Sequence, residues 1–348
     1  MDSKLFNFLY GTLIFISIFL KPQIFSKYNR STLAPFLTLS TNKIHTILGE
    51  YGLIPTSFEP IQQGLGNSNF LVDSNKGRFI LTVFEIDHNR VVNLSRLLTL
   101  LVSRDFPTAG ARTQSGGEKV LSVDGHSAML KPYVPGQVIE DLNGHHLQQI
   151  GEAVAQLHRI PAPDYLPVQH AYELETFPVI LGNHEYHEFG SWLEQRLEIF
   201  RQALPPGLPR GLIHGDVFFD NVIFDNDTLR AIIDFEEACH YYLVFDLGMA
   251  ALGLCTQDMK LNLPQVRALL DGYQRIRPLV EVEKQALQLF VEYAAITTSS
   301  WRFWKYNIDT PNIAKSDLFV QMVEISQNVG AVPGSIFYDT VINQQLDE

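Results

Sequence analysis

Leu212-Ile213-His214-Gly215-Asp216-Val217-Phe218-Phe219-Asp220-Asn221, followed by Ala231-Ile232-Ile233-Asp234-Phe235-Glu236, is the stretch on which the reading of this chain turns. Its skeleton is His-x-Asp, an Asn five residues after that Asp, and a second Asp 13 residues after the Asn. Apolar runs lead into each half, as strands ending in polar turns do. Phosphoryl transfer from a nucleoside triphosphate asks little of a protein. One carboxylate orients the attacking hydroxyl and accepts its proton, and an Asn with a second carboxylate holds Mg²⁺ against the phosphates. In this pattern Asp216 is the candidate base, with Asn221 and Asp234 the candidate metal ligands. The alternative is a polar turn between two strands that His214 and Asp220 merely cap, but a turn does not require the second half of the pattern.

Protein kinases carry the same parts at nearly this spacing on the catalytic loop and the strand turn after it. The variant His214-Gly215-Asp216 with Asn221 resembles the aminoglycoside phosphotransferase and choline kinase superfamily of small-molecule kinases. That resemblance implies an α+β, protein-kinase-like bilobal fold: an antiparallel N-terminal sheet lobe and a mainly helical C-terminal lobe. It implies ATP as phosphoryl donor with Mg²⁺, His214 as structural support, and Asp246 in Phe245-Asp246-Leu247-Gly248 as a buttress for the catalytic loop.

A chain of 348 residues with 46% apolar residues can bury a sizeable core in two lobes. Its net charge of −12 argues against a broad nucleic-acid surface, which would need clustered Lys and Arg. A few local cations and Mg²⁺ still suffice for ATP. Two cysteines, Cys239 and Cys255, give neither a zinc cluster nor a disulfide framework and read as buried thiols in a reducing cytoplasm. Residues 1–40 differ from the rest. Leu5 to Leu20 is an apolar run shorter than the ~20 residues that usually span a bilayer. It reads as a membrane anchor facing the cytoplasm, a cleaved signal, or an extension unrelated to catalysis, and any membrane contact is expected only through residues 5–20.

The periodicities give the order of elements. A helix is expected over 41–51, then strands at 58–62, 69–73 and 78–84, a helix over 89–103, and strands at 119–123 and 127–133. Together 41–136 form the expected nucleotide-binding lobe. Gly64-Leu65-Gly66-Asn67-Ser68-Asn69 joins the first two strands; Gly66 lets the backbone approach phosphates, while Asn67, Ser68 and Asn69 offer donors. An ordinary hairpin loop needs the same residues, but this one precedes the catalytic loop by a kinase-like distance. Tyr133-Val134-Pro135-Gly136 leaves the sheet and resembles the hinge that hydrogen-bonds adenine. Helices at 144–160, 192–204, 245–256, 263–275, 281–304 and 315–328 build the expected catalytic and acceptor-binding lobe, 137–330, with 331–348 as a tail. The Leu157-His158 pair resembles one common in the superfamily, with His158 structural.

Protein kinases place a Lys on the third strand and pair it with a Glu on the next helix. That position is Thr82 here, and residues 89–103 contain no carboxylate. Thr82 therefore marks the ATP site without supplying its cation. Lys131 on the strand before the hinge, backbone donors of Gly66 to Asn69, or more remotely Arg78 could replace it. Gly66-Asn67-Ser68-Asn69-Phe70, Lys76 to Glu85, Ile233-Asp234-Phe235, Ala238-Cys239 and Trp301-Arg302-Phe303-Trp304 are similar to bacterial homoserine kinases of this superfamily, which also carry Thr at the third-strand position. The resemblance covers roughly residues 41–328. It implies O-phosphorylation of homoserine, a zwitterion, with Arg302 a fork for the carboxylate and Asp220, Glu236 or Glu237 facing the ammonium. Two departures are the apolar N-terminal stretch and His240-Tyr241-Tyr242, which is expected where the acceptor sits. An aminoglycoside, a choline-type amine or a sugar is the alternative acceptor. A nucleotide-binding pseudokinase is disfavoured because Asp216, Asn221 and Asp234 are all present.

Overall fold

The computed structural model describes residues 39–61, 67–172, 177–181 and 186–343. The apolar run 5–20 and Gly66 lie outside the described residues. Among the described residues no helix is long and apolar enough to cross a membrane.

Ser40 caps α1 (Thr41–Glu50) by accepting the Lys43 N–H, and Ile44, Ile47 and Leu48 form its buried stripe. That stripe packs on one face of a five-stranded antiparallel sheet ordered β1 (Pro55–Ile61), β2 (Ser68–Ser74), β3 (Gly77–Phe84), β5 (His126–Pro132) and β4 (Val120–Val123). Side chains alternate between faces along each strand. Phe70, Val72, Leu81, Val83, Ala128 and Leu130 therefore join α1 in a small core of their own. The opposite face carries Thr82, Phe84, Met129 and Lys131 in register across β3 and β5. Phe84 and Met129 on that face belong instead to the large core shared with α2 (His88–Ser103) and the C-terminal helices. After β5 the chain crosses between lobes at Gly136-Gln137. Gln137 and Phe224 exchange backbone hydrogen bonds of 2.7 and 2.9 Å, and Gly136, at φ 145°, lies where a Cβ would strike the Phe224 carbonyl.

The second lobe is built on α3 (Gly144–His158), α4 (His187–Ala203), α5 (Leu243–Leu254), α6 (Leu263–Ile276), α7 (Glu281–Phe303) and α8 (Leu318–Ala331). α5 is buried on nearly every side, as a helix that is apolar all round must be. α3 and α6 cross closely because Gly151 faces the Leu269 carbonyl and Gly272 faces the Gln148 carbonyl, with no room for a methyl group at either point. Observed ends differ from the expected ones by a few residues in most elements. The larger change is α4, which begins at His187 rather than near Trp192. Its first turn has no side-chain cap but is held by aromatic packing: Phe189 stacks on Phe303 at 4.5 Å and on Trp192 at 5.6 Å. A short helix at Gly334–Tyr338 lies within the stretch expected as a tail, and it buries Phe337.

Of His240-Tyr241-Tyr242, expected where the acceptor sits, the middle residue is buried and the other two are half-buried. The segment belongs to β9 (Cys239–Tyr242), which pairs with β6 (Arg210–Ile213). Tyr241 is buried against Phe245 and His170, and the Arg210 guanidinium lies over the rings of both tyrosines. Cys239 and Cys255 are free and buried.

Candidate active site

Two short hairpin ladders bring the halves of the motif together. β6 pairs with β9, and β7 (Val222–Asp225) pairs with β8 (Thr228–Ile232). Because Val222 stands opposite Ile232, Asn221 falls opposite Ile233, whose N–H donates to the Asn221 carbonyl at 2.9 Å. Asp234 is the next residue. Strand register thus places the two candidate metal ligands side by side although 13 residues separate them. Asp234 itself is left-handed, at φ 68° and ψ 63°. Asp tolerates that region better than most residues, and it turns the chain sharply from β8 into the turn Phe235–Glu237.

The Asn221 side-chain amide donates to the Asp216 carbonyl at 2.9 Å and to Asp216 Oδ2 at 3.2 Å. With both donations on that side, Oδ1 is left as the acceptor for a cation. Burial, then the charges of Asp234, Glu237 and Asp220, push the Asp216 carboxyl well above its usual range. Carboxylates crowded in this way fit a divalent ion, which offsets the repulsion that would otherwise keep one of them protonated. Among the described residues no three His, Cys, Asp or Glu side chains form a metal-holding group. A hard cation here would complete its shell with oxygens from phosphate and water.

The catalytic loop is held from below. Asp246, fully buried at the start of α5, accepts the backbone N–H of His214 at 2.9 Å and of Gly215 at 2.8 Å. Burial alone would raise its carboxyl, but the hydrogen bonds from the His158 ring and from the His214 backbone hold it below the ordinary value. His158 donates Nε2–H to Asp246 at 3.0 Å and accepts a hydrogen bond from the Tyr273 hydroxyl on Nδ1 at 2.7 Å. Arg277 then donates to the Tyr273 oxygen at 2.9 Å and pairs with buried Glu283 at 3.0 Å. The close α3–α6 crossing is what puts Tyr273 within reach of His158.

His170 supports the loop from the other side, a role the sequence reading missed. Its Nε2–H donates to the Gly215 carbonyl at 3.1 Å, and Nδ1 has no hydrogen-bond partner among the described residues. Burial pushes its pKa down to about 4. Gly215, at φ 86°, has no room for a Cβ between His170 and the Glu237 carbonyl. Tyr172 was missed as well. Burial, then the charges of Asp216, Glu237, Asp234 and Glu236, push its phenol well above the usual range, which sets it beside the carboxylate cluster. Both residues lie in the connector 161–178, which carries no periodic signal.

On the N-terminal side, the Asn67 amide donates to Glu236, while its carbonyl oxygen accepts the Glu85 N–H at 3.2 Å. Glu236 thus lies against the start of β2, and burial, then the charge of Asp234, push its carboxyl up to about 8 against the opposing charge of Lys131. Thr82 donates its hydroxyl to Asn69 at 2.8 Å, and Ser68 beside it is buried. The Tyr133 N–H donates to the Arg78 carbonyl at 3.0 Å. The Arg78 guanidinium forks onto Asp73 at 2.7 and 3.2 Å, away from Thr82. On the acceptor side, Arg302 ends α7 and donates Nη1 to the Leu318 carbonyl at 3.2 Å and to Gln321 at 3.4 Å. Burial lowers its pKa, and the charges of Tyr306, Asp216 and Asp220 oppose that, so the guanidinium lies in the field of both aspartates. Asp220 is exposed on the turn Phe219–Asn221.

Residues 57–279 match the model of the phosphotransferase enzyme family, APH. The homoserine kinase of Bartonella henselae is 32% identical over 250 residues, which are 69% of this chain and 78% of that protein. The homoserine kinase of Caulobacter vibrioides is 30% identical over 277 residues, 76% of this chain and 87% of that one. Among solved structures, an amicoumacin kinase in complex with AMP-PNP and Ca²⁺ aligns with a TM-score of 0.70 at 14% identity, covering 86% of this chain and 97% of its own. A microcompartment-associated aminopropanol kinase aligns at 0.63 and 17% identity, covering 88% and 100%.

Proposed function

The chain belongs to the phosphotransferase enzyme family and is an ATP-dependent small-molecule kinase, and from that premise we propose that it phosphorylates the side-chain hydroxyl of homoserine, giving O-phosphohomoserine. The observation that carries the acceptor is the placement of Arg302. A guanidinium anchored through Nη1 to Leu318 and Gln321 sits in the field of Asp216 and Asp220. One end of such a site can take a carboxylate and the other an ammonium, with the hydroxyl between them at the base. Relatives named homoserine kinase at about 30% identity support the same acceptor.

In this reading Asp216 orients the acceptor hydroxyl and takes its proton as the oxygen bonds to the γ-phosphorus of ATP and the bond from that phosphorus to the ADP leaving group breaks. Asn221 Oδ1 and the Asp234 carboxylate would hold Mg²⁺, which would supply positive charge to offset the negative charge of the phosphates. Asp246 and His170 fix the backbone of the loop that carries Asp216, so little reorganisation is needed when substrate arrives. The hinge at Tyr133 to Gly136 takes the adenine, and the loop around Asn67 to Asn69 covers the phosphates. The crowded carboxylates also suit an amino alcohol without a carboxylate, and Arg302 is the residue that separates the two classes. ADP release with Mg-ATP, measured against homoserine, other hydroxyamino acids, amino alcohols, aminoglycosides and sugars, tests the reading. Homoserine should give the highest kcat/KM. Turnover of another acceptor with none on homoserine would overturn it.

A further inference from the structure

ATP carries about four negative charges and one Mg²⁺ offsets only two, so a phosphate site normally adds a protein cation. The third-strand position that supplies it in protein kinases is Thr82 here, and its hydroxyl is committed to Asn69. Helix α2 carries the opposite sign from the one expected there. Its Arg90 lies 3.9 Å from Glu237, in the turn after Asp234. Arg78 is committed to Asp73.

Lys131 is placed differently. It stands on β5 opposite Ile80, so its side chain leaves the sheet on the face shared by Ile80, Thr82 and Phe84. Phe84 lies four residues further along β3, about 13 Å at the usual strand rise. Yet the Lys131 Nζ is 6.0 Å from the centre of the Phe84 ring. A lysine side chain covers that separation only by lying along the strand, past the register of Thr82 and Met129. Its ammonium therefore ends beside the place where a third-strand lysine would end. Glu236 is tied to the same end of β3, because the Asn67 amide that donates to its carboxylate also accepts the N–H of Glu85, the residue after Phe84.

We propose that Lys131 is the phosphate-binding cation of this kinase and that Glu236 positions it: a lysine–glutamate pair moved from the third strand and the following helix to the fifth strand and the turn after Asp234. Both partners have changed elements, while the ammonium occupies the same part of the cleft. The proposal rests on Mg-ATP binding in this cleft and not on which acceptor is used.

Equilibrium binding of Mg-ATP and of adenosine to the full chain, without acceptor, provides the test. Lys131→Met should weaken Mg-ATP about tenfold or more, as expected for loss of a charge-assisted contact of at least ~1.4 kcal/mol, and leave adenosine affinity unchanged. Lys131→Arg should keep most of the Mg-ATP affinity. Thr82→Lys added to Lys131→Met should recover it, because the new ammonium starts from the neighbouring strand on the same face. Unchanged Mg-ATP binding in Lys131→Met would overturn the proposal and leave the phosphates to backbone donors of the loop before β2. Equal losses for Mg-ATP and adenosine would overturn it in favour of a structural lysine. Absence of rescue in a double variant that still binds adenosine would also overturn it. The identity of the acceptor changes none of these outcomes.

Discussion

His214 donates Nε2–H to the carbonyl of Ile233 at 2.8 Å, while its Nδ1 accepts the Asp216 N–H at 3.1 Å. One buried neutral ring thus ties the loop carrying the candidate base to the residue before the candidate metal ligand. The ring also packs on Phe235 at 4.5 Å. His214→Ala leaves a half-buried carbonyl and a half-buried N–H without their partner, at a combined cost of about 1–3 kcal/mol. We expect lower stability in chemical denaturation and a fall in kcat larger than any change in KM for ATP. A variant with native kcat would show that the two loops hold their positions without the ring.

Asp216→Asn keeps the shape of the side chain and removes the base. Turnover should fall by ~10² or more, the usual value of general-base assistance, with Mg-ATP binding nearly unchanged. Asp234→Ala should instead abolish Mg²⁺-dependent ATP binding and turnover together. The two variants separate the roles when ATP affinity is measured with and without Mg²⁺, and a pattern opposite to this one would exchange the assignments.

Asp246→Ala should be among the most damaging changes away from the reacting atoms. It leaves the N–H groups of His214 and Gly215 unpaired and strands His158 in the core. Removing one partner of a buried pair costs about 3–5 kcal/mol. His158→Gln can still donate to Asp246 and should cost less. The order of melting temperatures, wild type above His158→Gln above Asp246→Ala, checks this, and equal values for the two variants would contradict it.

Acid should unfold this protein partly through His170. Burial depresses its pKa to about 4, so the unfolded chain binds the proton more tightly than the native one. Stability is then complete above the ordinary histidine value, near ~6.5, and falls as pH drops towards 4. From this group alone the loss by pH 4 is on the order of 3 kcal/mol. His170→Gln can keep the bond to the Gly215 carbonyl and has no proton to gain. Its melting temperature should fall less steeply between pH 6.5 and pH 4 than that of the wild type, and parallel curves would exclude His170 as the titrating group.

The parts of the site legible in the sequence are those that neighbouring residues dictate. His214, Asp216, Asn221 and Asp234 sit on turns that follow apolar strand runs; strand register brings Asn221 beside Asp234, and the His214 ring and Asn221 amide join Asp216 to them. The strands of the N-terminal sheet and the helices from 144 onward follow from periodicity in the same way. His170 and Tyr172 had no such signal, since a proline-containing connector has no period and only tertiary packing carries them to the loop. The Lys131–Glu236 relation joins residues 105 positions apart in the chain, and no local pattern encodes it. Tyr241 was misplaced for a related reason. Consecutive polar-tipped aromatics after a candidate metal ligand resemble a ligand surface, yet pairing with β6 makes them a strand that turns Tyr241 into the core.

Arg302 gives the sharpest test of the acceptor. Its Nη1 is occupied by the Leu318 carbonyl and Gln321, so the anchored guanidinium can offer its remaining N–H groups to a carboxylate without first losing much side-chain entropy. A hydrogen bond to a charged group is worth about 1.5–3 kcal/mol, so Arg302→Met should raise KM for homoserine roughly tenfold to a hundredfold. KM for ATP should stay near its native value, because the guanidinium acts on Asp216 and Asp220 rather than on Lys131 and the strand loop. An amino alcohol with the same chain and no carboxylate provides the internal control. The wild type should prefer homoserine over it strongly, and Arg302→Met should lose most of that preference by becoming poorer with homoserine alone. Equal losses on both acceptors would mean that Arg302 supports α8 through Leu318 and does not read the carboxylate. A melting temperature for the variant, measured beside the kinetics, separates loss of that anchor from loss of recognition.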